Sequence, residues 1–332
     1  MSKKTIIAII RIAISAAIIT YIFTAVIKPA EMWNQVKQAD MGLAWKVFLL
    51  AFIPMFLCSI RWLFLIRALD LHVSLWEVFR LNYIGVFFNN FMIGATGGDI
   101  IKAVVVAKIT EKKVPAIVSI FVDRVMGLVA LALIGAFAVL YYYDSPELFY
   151  PRMIILGILA GGLVFVFVYF SRAIRESGIM KFVLSKLPLQ GVFREIDETL
   201  VLYKQRKIYV LMSLVVSIIV HCGWILVIIG FGKCFGENRM TVLHYFAYVP
   251  IALMANALPI SLGGIGVGEY AYITLFAMAG VPESISGAMG IAARISAILW
   301  TLPGGIFFAL GTEKIKIREK SGMEMNEAVN EE

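Results

Sequence analysis

The sequence predicts an all-α membrane protein that crosses the bilayer several times. Of its 332 residues, 61% are hydrophobic and 16% are charged, and the mean hydropathy is +0.89. A soluble domain is nearer to about 45–50% apolar and about 25% charged. Several apolar runs approach the roughly 20 residues that an α-helix needs to cross about 30 Å of hydrocarbon. Two further apolar stretches are interrupted by glycine, which predicts broken helices.

Six apolar runs are long enough for full crossings, at about residues 5–27, 43–66, 114–140, 152–170, 208–231 and 283–311. The first could be mistaken for a secretory signal. It is too long for the apolar part of such a signal, and no small-residue cleavage site follows it. We therefore expect it to be a retained span.

Basic residues indicate the orientation. They are concentrated at the N-terminus, in the segment 171–207 and in the polar tail 312–332, whereas the intervening loops are close to neutral. Short loops rich in lysine and arginine stay in the cytoplasm. The sequence therefore predicts a multi-pass protein of the plasma (inner) membrane with both termini in the cytoplasm.

The stretches 76–110 and 242–281 do not fit simple crossings, because each runs from apolar sequence through asparagine to clustered glycines and an acid. Glycine and proline release backbone groups that lipid cannot satisfy. Such breaks survive only inside protein or beside a wet cavity. We predict two re-entrant helical hairpins here.

The two halves of the chain repeat one spacing. Asp99 follows Gly97-Gly98 and precedes Arg124 by 25 residues; Glu269 follows Gly263-Gly264 and precedes Arg294 by the same 25. The pattern predicts a single transmembrane domain over 1–332, with repeat one at about 43–140 and repeat two at about 208–311. The loop charges make these inverted repeats, which in transporters meet around a site near the midplane.

The repeated charges define a candidate site. A charge at the centre of a membrane helix costs roughly 2.5–3.5 kcal/mol unless it is paired or hydrated. A half-helix that starts at glycine offers free backbone N–H groups and the positive end of its dipole to a phosphate. The candidate substrate-binding residues are Asn90, Gly97, Gly98, Asp99, Lys102, Asp123, Arg124, Asn256, Gly263, Gly264, Glu269 and Arg294. The alternative is that Asp99–Arg124 and Glu269–Arg294 are structural ion pairs and the asparagines hold broken backbone ends.

Other chemistries find little support in the sequence. The three cysteines form no CxxC pair, the three histidines are scattered, and the catalytic and nucleotide-binding fingerprints are missing. We expect no cofactor and no metal. The net charge of +8 falls at helix ends, where it favours anionic lipid headgroups and not nucleic acid.

Four motifs in order resemble a known family. They are Asn90 with Gly97-Gly98-Asp99-Ile-Ile-Lys102, then Val122-Asp123-Arg124-Val-Met-Gly127-Leu, then Leu258-Pro259 with Gly263-Gly-Ile-Gly-Val-Gly-Glu269, and Arg294. The chain resembles the flippase-like family named for the transmembrane region of lysylphosphatidylglycerol synthase, over about residues 5–311. Family members often carry a proline shortly before the first Gly-Gly, where this chain has Ile93-Gly94-Ala95-Thr96.

The resemblance implies lipid handling. Longer members join this region to a soluble aminoacyl-transferase, which we expect to be absent here, so no synthase activity is expected. The leading hypothesis is a translocase that moves or binds a phosphate-bearing lipid, whether a phospholipid, an aminoacyl-phospholipid or a polyprenyl-linked glycolipid. One alternative is a membrane enzyme that acts on a polyprenyl-phosphate or glycolipid and uses Asp99 or Glu269 as a general base or metal ligand. Another is a passive membrane partner of a cytosolic lipid-modifying enzyme. The sequence leaves the oligomeric state open, and a homo-oligomer is compatible with each of these functions.

Overall fold

The computed structural model describes residue 20 and residues 29–91, 97–110, 112–141, 144, 146–170, 190–258, 261–310 and 318–319. The helices are α1 Pro29–Gln38, α2 Met41–Leu50, α3 Phe52–Arg67, α4 Leu75–Phe91, α5 Gly97–Ile109, α6 Lys113–Tyr141, α7 Phe149–Phe170, α8 Gln190–Gln205, α9 Lys207–Cys234, α10 Val242–Ala257, α11 Val267–Met278 and α12 Glu283–Ala309. Short 3₁₀ turns lie at Pro146–Leu148 and Leu262–Gly264. Strands β1 (Leu71–His72) and β2 (Arg318–Glu319) pair antiparallel.

Four helical segments are long and apolar enough to cross a membrane: Met41–Arg67, which joins α2 and α3, Lys113–Tyr141, Lys207–Cys234 and Glu283–Ala309. They coincide with four of the six predicted spans, and the all-α membrane class is confirmed. The run 152–170 falls within α7, whose first part, Phe149–Gly162, is a shorter apolar helix. The run 5–27 lies outside the described residues apart from Thr20. The total of six crossings stays a prediction.

Both interrupted stretches have a helix on each side of the break. α4 and α5 flank residues 92–96, which lie outside the described part of the chain. α10 and α11 flank a glycine turn in which φ is +55° at Gly263, +75° at Gly264 and +86° at Gly266. Only glycine adopts these values without strain, so the glycine cluster ends one helix and allows the next to begin. That each pair of helices turns back within the membrane as a re-entrant hairpin stays a prediction.

The two halves have the same order of elements and pack reciprocally. Each half has a long apolar segment, a broken pair and a second long helix: α2–α3, α4, α5 and α6 in the first, and α9, α10, α11 and α12 in the second. α3 packs against α9. The first helix of each broken pair packs against the last helix of the other half, α4 on α12 and α10 on α6. This exchange of contacts is what a pseudo-twofold relation between the halves would produce.

Glycines permit the closest helix contacts. A Cβ at Gly304 of α12 would lie 2.1 Å from the Tyr83 carbonyl oxygen of α4. In the reciprocal contact, a Cβ at Gly135 of α6 would lie 2.6 Å from Ile155 and 3.6 Å from Pro250 of α10. Within the first broken pair, a Cβ at Gly98 would lie 1.7 Å from the Gly85 carbonyl oxygen. At Gly304 and Gly98 the neighbouring backbone itself lies too close for any larger residue, whereas at Gly135 the neighbours are side chains.

The two ends of the bundle are closed by different contacts. At one end, Arg206 Nη2 donates to Asp70 Oδ2 at 2.8 Å, and the Tyr203 hydroxyl donates to the Leu65 carbonyl at 3.2 Å. The β1–β2 pairing lies at the same end, next to Asp70. At the other end, the Asp40 amide donates to the Cys234 carbonyl at 3.1 Å. The first end is the one that the loop charges predict to be cytoplasmic.

We expect Gly98→Ala to destabilise the protein, because a Cβ there would overlap the α4 backbone and force α4 and α5 apart. Overpacking of this kind costs about 1–3 kcal/mol or more. The thermal unfolding midpoint in detergent micelles measures the effect. Gly157→Ala on α7 is the matched control, since a Cβ there meets nothing within 4 Å. Equal midpoints for the two variants would contradict the close α4–α5 contact.

Candidate functional site

The Arg294–Glu269 pair is the centre of the second half of the site. Arg294 Nε donates to Glu269 Oε1 at 2.6 Å, and Nη2 donates to Oε2 at 3.3 Å. The remaining donors reach the Gly263 carbonyl at 2.9 Å, the Gly264 carbonyl at 3.1 Å and Asn256 Oδ1 at 2.8 Å. The side chains are only 15% and 11% exposed. The guanidinium therefore holds together α10, the glycine turn, α11 and α12.

Local sequence explains why these groups meet. Glu269 lies in the first turn of α11, where its Oε2 also accepts a hydrogen bond from the Gly266 amide at 2.8 Å. A carboxylate in this position satisfies an unpaired N–H and complements the helix dipole. The left-handed glycines turn their carbonyls toward α12, and Asn256 ends α10 beside them. The five predicted residues Asn256, Gly263, Gly264, Glu269 and Arg294 form one hydrogen-bonded unit.

The Arg124–Asp99 pair is the counterpart in the first half. Arg124 Nε donates to Asp99 Oδ2 at 2.6 Å, the same distance as in the second pair. The α5 helix begins at Gly97, and the Gly98 amide is capped by Asn89 Oδ1 at 2.8 Å. Asn89, which was not among the predicted site residues, thus caps the first turn of α5. The Asp99 carboxylate bonds to Arg124 instead of serving as the cap. This pair is more open, with Arg124 39% and Asp99 20% exposed.

A further ion pair adjoins the first half. Arg61 of α3 donates from Nε to Asp123 Oδ1 at 2.7 Å and from Nη2 to Oδ2 at 2.8 Å. Both side chains are about nine-tenths buried. Asp123 therefore bonds to Arg61 and not to its neighbour Arg124. Adjacent residues of a helix point about 100° apart, so these two side chains were not expected to need each other as partners. Arg61 was not among the predicted site residues, although a single arginine within an apolar run itself indicates a buried partner.

Lys102 lies deeper in the helix bundle than the sequence predicts. Its ammonium is 3.4 Å from the centre of the Trp62 ring and donates to Asn82 Oδ1 at 3.2 Å, and the residue is 2% exposed. The predicted role was an additional charge beside the glycine turn. The ammonium instead faces Trp62 of α3. Its charged neighbours are Arg61 of the same helix, Asp99 of α5, and Asp123 and Arg124 of α6. Asn82 and Trp62 belong to this cluster, and the sequence alone did not single them out.

The glycine turn of the second half meets the end of α4. A Cβ at Gly263 would lie 3.0 Å from the Asn90 carbonyl oxygen and 3.1 Å from that of Asn89. The Asn90 side chain donates to the Val86 carbonyl at 3.3 Å and to the Thr301 hydroxyl of α12 at 3.2 Å. The end of α4 is therefore seated between the glycine turn of the second half and α12. The predicted residues thus form two adjoining clusters, one in each half. Asn90 connects them, because it belongs to α4 and contacts both the Gly263 turn and α12 of the second half.

The structure offers no metal-binding cluster of three or more histidine, cysteine, aspartate or glutamate side chains among the residues it describes. Both predicted carboxylates at the breaks are occupied by arginine.

A family model agrees with this architecture. The model described as the lysylphosphatidylglycerol synthase TM region matches residues 8–304, which include both broken pairs and both arginines. The chain belongs to this family. The membership and the apolar helices together establish a multi-pass integral membrane protein.

Three archaeal relatives are described as UPF0104 membrane proteins. The one from Pyrococcus horikoshii is 26% identical, with 81% of this chain and 87% of the relative aligned. The one from Methanothermobacter thermautotrophicus is 22% identical over 88% of this chain and 90% of its own length. The one from Methanocaldococcus jannaschii is 25% identical over 97% and 98%. The similarity therefore covers nearly the whole membrane domain, and the relatives' descriptions name no activity.

We expect Arg294→Ala to destabilise the protein more than Arg124→Ala. Removing Arg294 leaves the buried Glu269 carboxylate and two turn carbonyls without their donor, and breaking a buried pair costs about 3–5 kcal/mol. Arg124 and Asp99 are more exposed, so water can replace part of the hydrogen bonding that Asp99 loses when Arg124 is removed. The free energy of unfolding in detergent micelles measures both losses. Equal losses would contradict the asymmetry between the two pairs.

A double-mutant cycle tests the Arg61–Asp123 pair. Arg61→Met and Asp123→Ala each leave a buried charge unpaired, whereas the double variant leaves none. We expect the double variant to be less destabilised than the sum of the singles by about 0.5–3 kcal/mol. The half-exposed Arg206–Asp70 pair is the control, with a coupling of roughly 0–1 kcal/mol. A coupling no larger at Arg61–Asp123 would contradict its buried, bidentate geometry.

Proposed function

We propose that this protein is a lipid translocase that binds a phosphate-bearing headgroup where the two broken helices meet. The observation that carries the proposal is that the turn at Gly263 rests on the end of α4. The Arg294–Glu269 pair is bonded to this turn, and the Arg124–Asp99 pair lies at the start of α5, the next helix in the chain. Charged groups and irregular backbone within a membrane domain are tolerated beside a cavity or a substrate path. Such a junction between repeats is where transporters bind their substrates.

The arginines of the two halves have different roles in this proposal. Arg294 is engaged by five hydrogen bonds to Glu269, Asn256 and the turn, so it acts as a scaffold that keeps the glycine turn in place. Arg124 is the more accessible arginine, and a planar guanidinium suits a phosphate as well as a carboxylate. Headgroup binding at Arg124 would exchange one anion, Asp99, for another. Binding of the headgroup would then be reversible, because the Asp99 carboxylate competes with the phosphate for Arg124.

The charge of the first half favours an anionic ligand. Arg61, Lys102 and Arg124 supply three cations against the two carboxylates of Asp99 and Asp123, which leaves one positive charge in excess when all five are ionised. The second pair, Arg294 and Glu269, is neutral as a unit. An anionic headgroup at the first half would balance the excess charge, which supports a phosphate-bearing lipid as the substrate class.

The proposal assigns no covalent chemistry to the chain. Asp99 and Glu269 were the candidate bases of an enzymatic alternative, and each is occupied by an arginine Nε at 2.6 Å. Positioning and charge exchange need no cofactor. Movement of the lipid would then be downhill or coupled to an ion.

Exchange of a labelled phosphatidylglycerol between the leaflets of reconstituted vesicles tests the function. We expect Arg124→Gln to slow exchange roughly ten- to hundredfold, because a hydrogen bond to a charged group is worth about 1.5–3 kcal/mol. Lys108→Gln is the matched control: it removes the same charge from the exposed last turn of α5. Wild-type exchange no faster than that of an Arg124→Ala, Arg294→Ala double variant would refute the proposal.

A further inference from the structure

Arg124 lies on a face of α6 that is exposed at the outer surface of the helix bundle. It shares this face, at intervals of three or four residues, with three apolar residues, Ile117, Phe121 and Leu128. All three are exposed, Phe121 most of all at 65%. The Arg124 side chain, 39% exposed, therefore opens outward through an apolar part of the bundle surface.

The exposed surface of α5 next to Asp99 is apolar as well. Ile100 follows Asp99 directly and is 63% exposed, and Val104 lies one turn further along the same face. The Asp99–Arg124 bond holds this part of α5 against α6, so the two exposed surfaces adjoin. Together they form an apolar rim around the ion pair, which consists of Ile100, Val104, Ile117, Phe121 and Leu128.

The ion pair lies far from both ends of α6, which is one of the helices long enough to cross a membrane. The helix begins at Lys113, and a lysine at the end of an apolar helix extends to the membrane interface. Arg124 is eleven residues further on, or about 16 Å along the helix axis. Because the hydrocarbon is about 30 Å thick, the outer surface at this level meets lipid chains. A partly exposed ion pair there is stabilised by a polar group that arrives within the bilayer.

The second half provides an internal comparison. Arg294 is also eleven residues from the beginning of its helix, α12, and the exposed residues beside it, Ile295 and Leu299, are apolar too. Yet Arg294 and Glu269 are only 15% and 11% exposed. An apolar helix surface is therefore common to both halves, whereas an ion pair that opens onto that surface is a property of the first half.

We propose that this surface of α5 and α6 is a lateral entrance for a diacyl lipid with an anionic phosphate headgroup; this inference rests on the proposed function. The phosphate reaches Arg124 from the side and accepts hydrogen bonds from the guanidinium. The acyl chains stay in the hydrocarbon and pack against the apolar rim, above all against Phe121 and Ile100. Only the headgroup then needs polar partners from the protein.

Charge and polarity together identify this occupant. The cluster around Arg124 has three cations and two carboxylates, so a group with a negative charge complements it. The rim around the opening offers only apolar side chains, which complement hydrocarbon. A lipid with an anionic headgroup satisfies both parts at once, whereas a water-soluble phosphate ester satisfies only the first and a second copy of the apolar rim only the second.

Photocross-linking of the full chain in phosphatidylcholine vesicles tests the entrance. The probe is a trace of phosphatidylglycerol with a diazirine in one acyl chain, and peptide mass spectrometry locates its adducts. Its mole fraction stays constant while unlabelled phosphatidylglycerol replaces phosphatidylcholine. At about four times the mole fraction that half-fills the site, we expect adducts at Phe121 and Ile100 to fall about fivefold by competition. Adducts at Ile295, the matched control, should stay constant, because contacts with bulk lipid follow the mole fraction of the probe alone.

Failure of the entrance and failure of the proposed function give different results. Adducts at Phe121 that respond no more than those at Ile295 would overturn the entrance, and exchange of lipid between leaflets in the same vesicles would leave the proposed function intact. Displacement of the Phe121 adduct without any exchange would support the lipid entrance and refute translocation. Glycerophosphoglycerol, the same headgroup without chains, should not displace the adduct; displacement by it would overturn the entrance, because the site would then accept a soluble phosphate.

Two variants test who occupies the surface. In Arg124→Gln we expect the Phe121 adduct to lose its response to phosphatidylglycerol, whereas Lys108→Gln, which removes a charge from the exposed last turn of α5, should keep it. A full response in Arg124→Gln would overturn the link between entrance and arginine. Oxidative cross-linking of the Phe121→Cys variant into dimers, beyond that of the wild type, would assign the surface to a second copy of the chain and overturn the lipid entrance.

Discussion

The guanidinium of Arg294 and the carboxylate of Glu269 meet in a region where neither charge could be left alone, since water is largely excluded. The bond between them does more than neutralise charge. The same arginine satisfies two carbonyls of the glycine turn and the amide oxygen of Asn256, so the break in the helix and the ion pair depend on each other. Without the arginine, the turn carbonyls would lack donors. Without the turn, the arginine would lack acceptors. The broken helix persists because its polar groups and its charges satisfy one another.

The first half also has an arginine–carboxylate pair beside a helix end, but its surroundings differ. Arg124 and Asp99 make a bond of equal length, but the broken end is held by Asn89 and the pair is more exposed. A second, buried pair lies beside it, together with the Lys102 ammonium on the Trp62 ring. The pair of the second half is therefore neutral and largely buried. The first half joins a buried ion pair and the Lys102 ammonium to a more exposed arginine–carboxylate pair.

The helices on each side of the two breaks and the two arginine–acid pairs were predictable from the sequence because they depend on local properties. Apolar runs reveal helices through their length, glycine clusters mark breaks, and an ionisable residue in apolar sequence requires a partner. The first break itself, around Ile93 and Gly94, and the basic segment 171–189 lie outside the described residues, so those details stay predictions. Arg61 and Asn82 were not predicted. Each is a single polar residue in an apolar helix, and the sequence does not show which neighbour it faces.

The sequence by itself determined the membrane class, the order of long and broken helices, and the residues that carry charge into the apolar interior. These follow from hydropathy and from the conformational freedom of glycine, which act over a few residues. Only the tertiary structure decided that Asp123 bonds to Arg61 across 62 residues of chain, that Lys102 faces an aromatic ring, that the Gly263 turn rests on the end of α4, and that the first pair is the more open one. Those outcomes depend on how helices pack, because the choice of partner for a buried charge is made by geometry among distant segments.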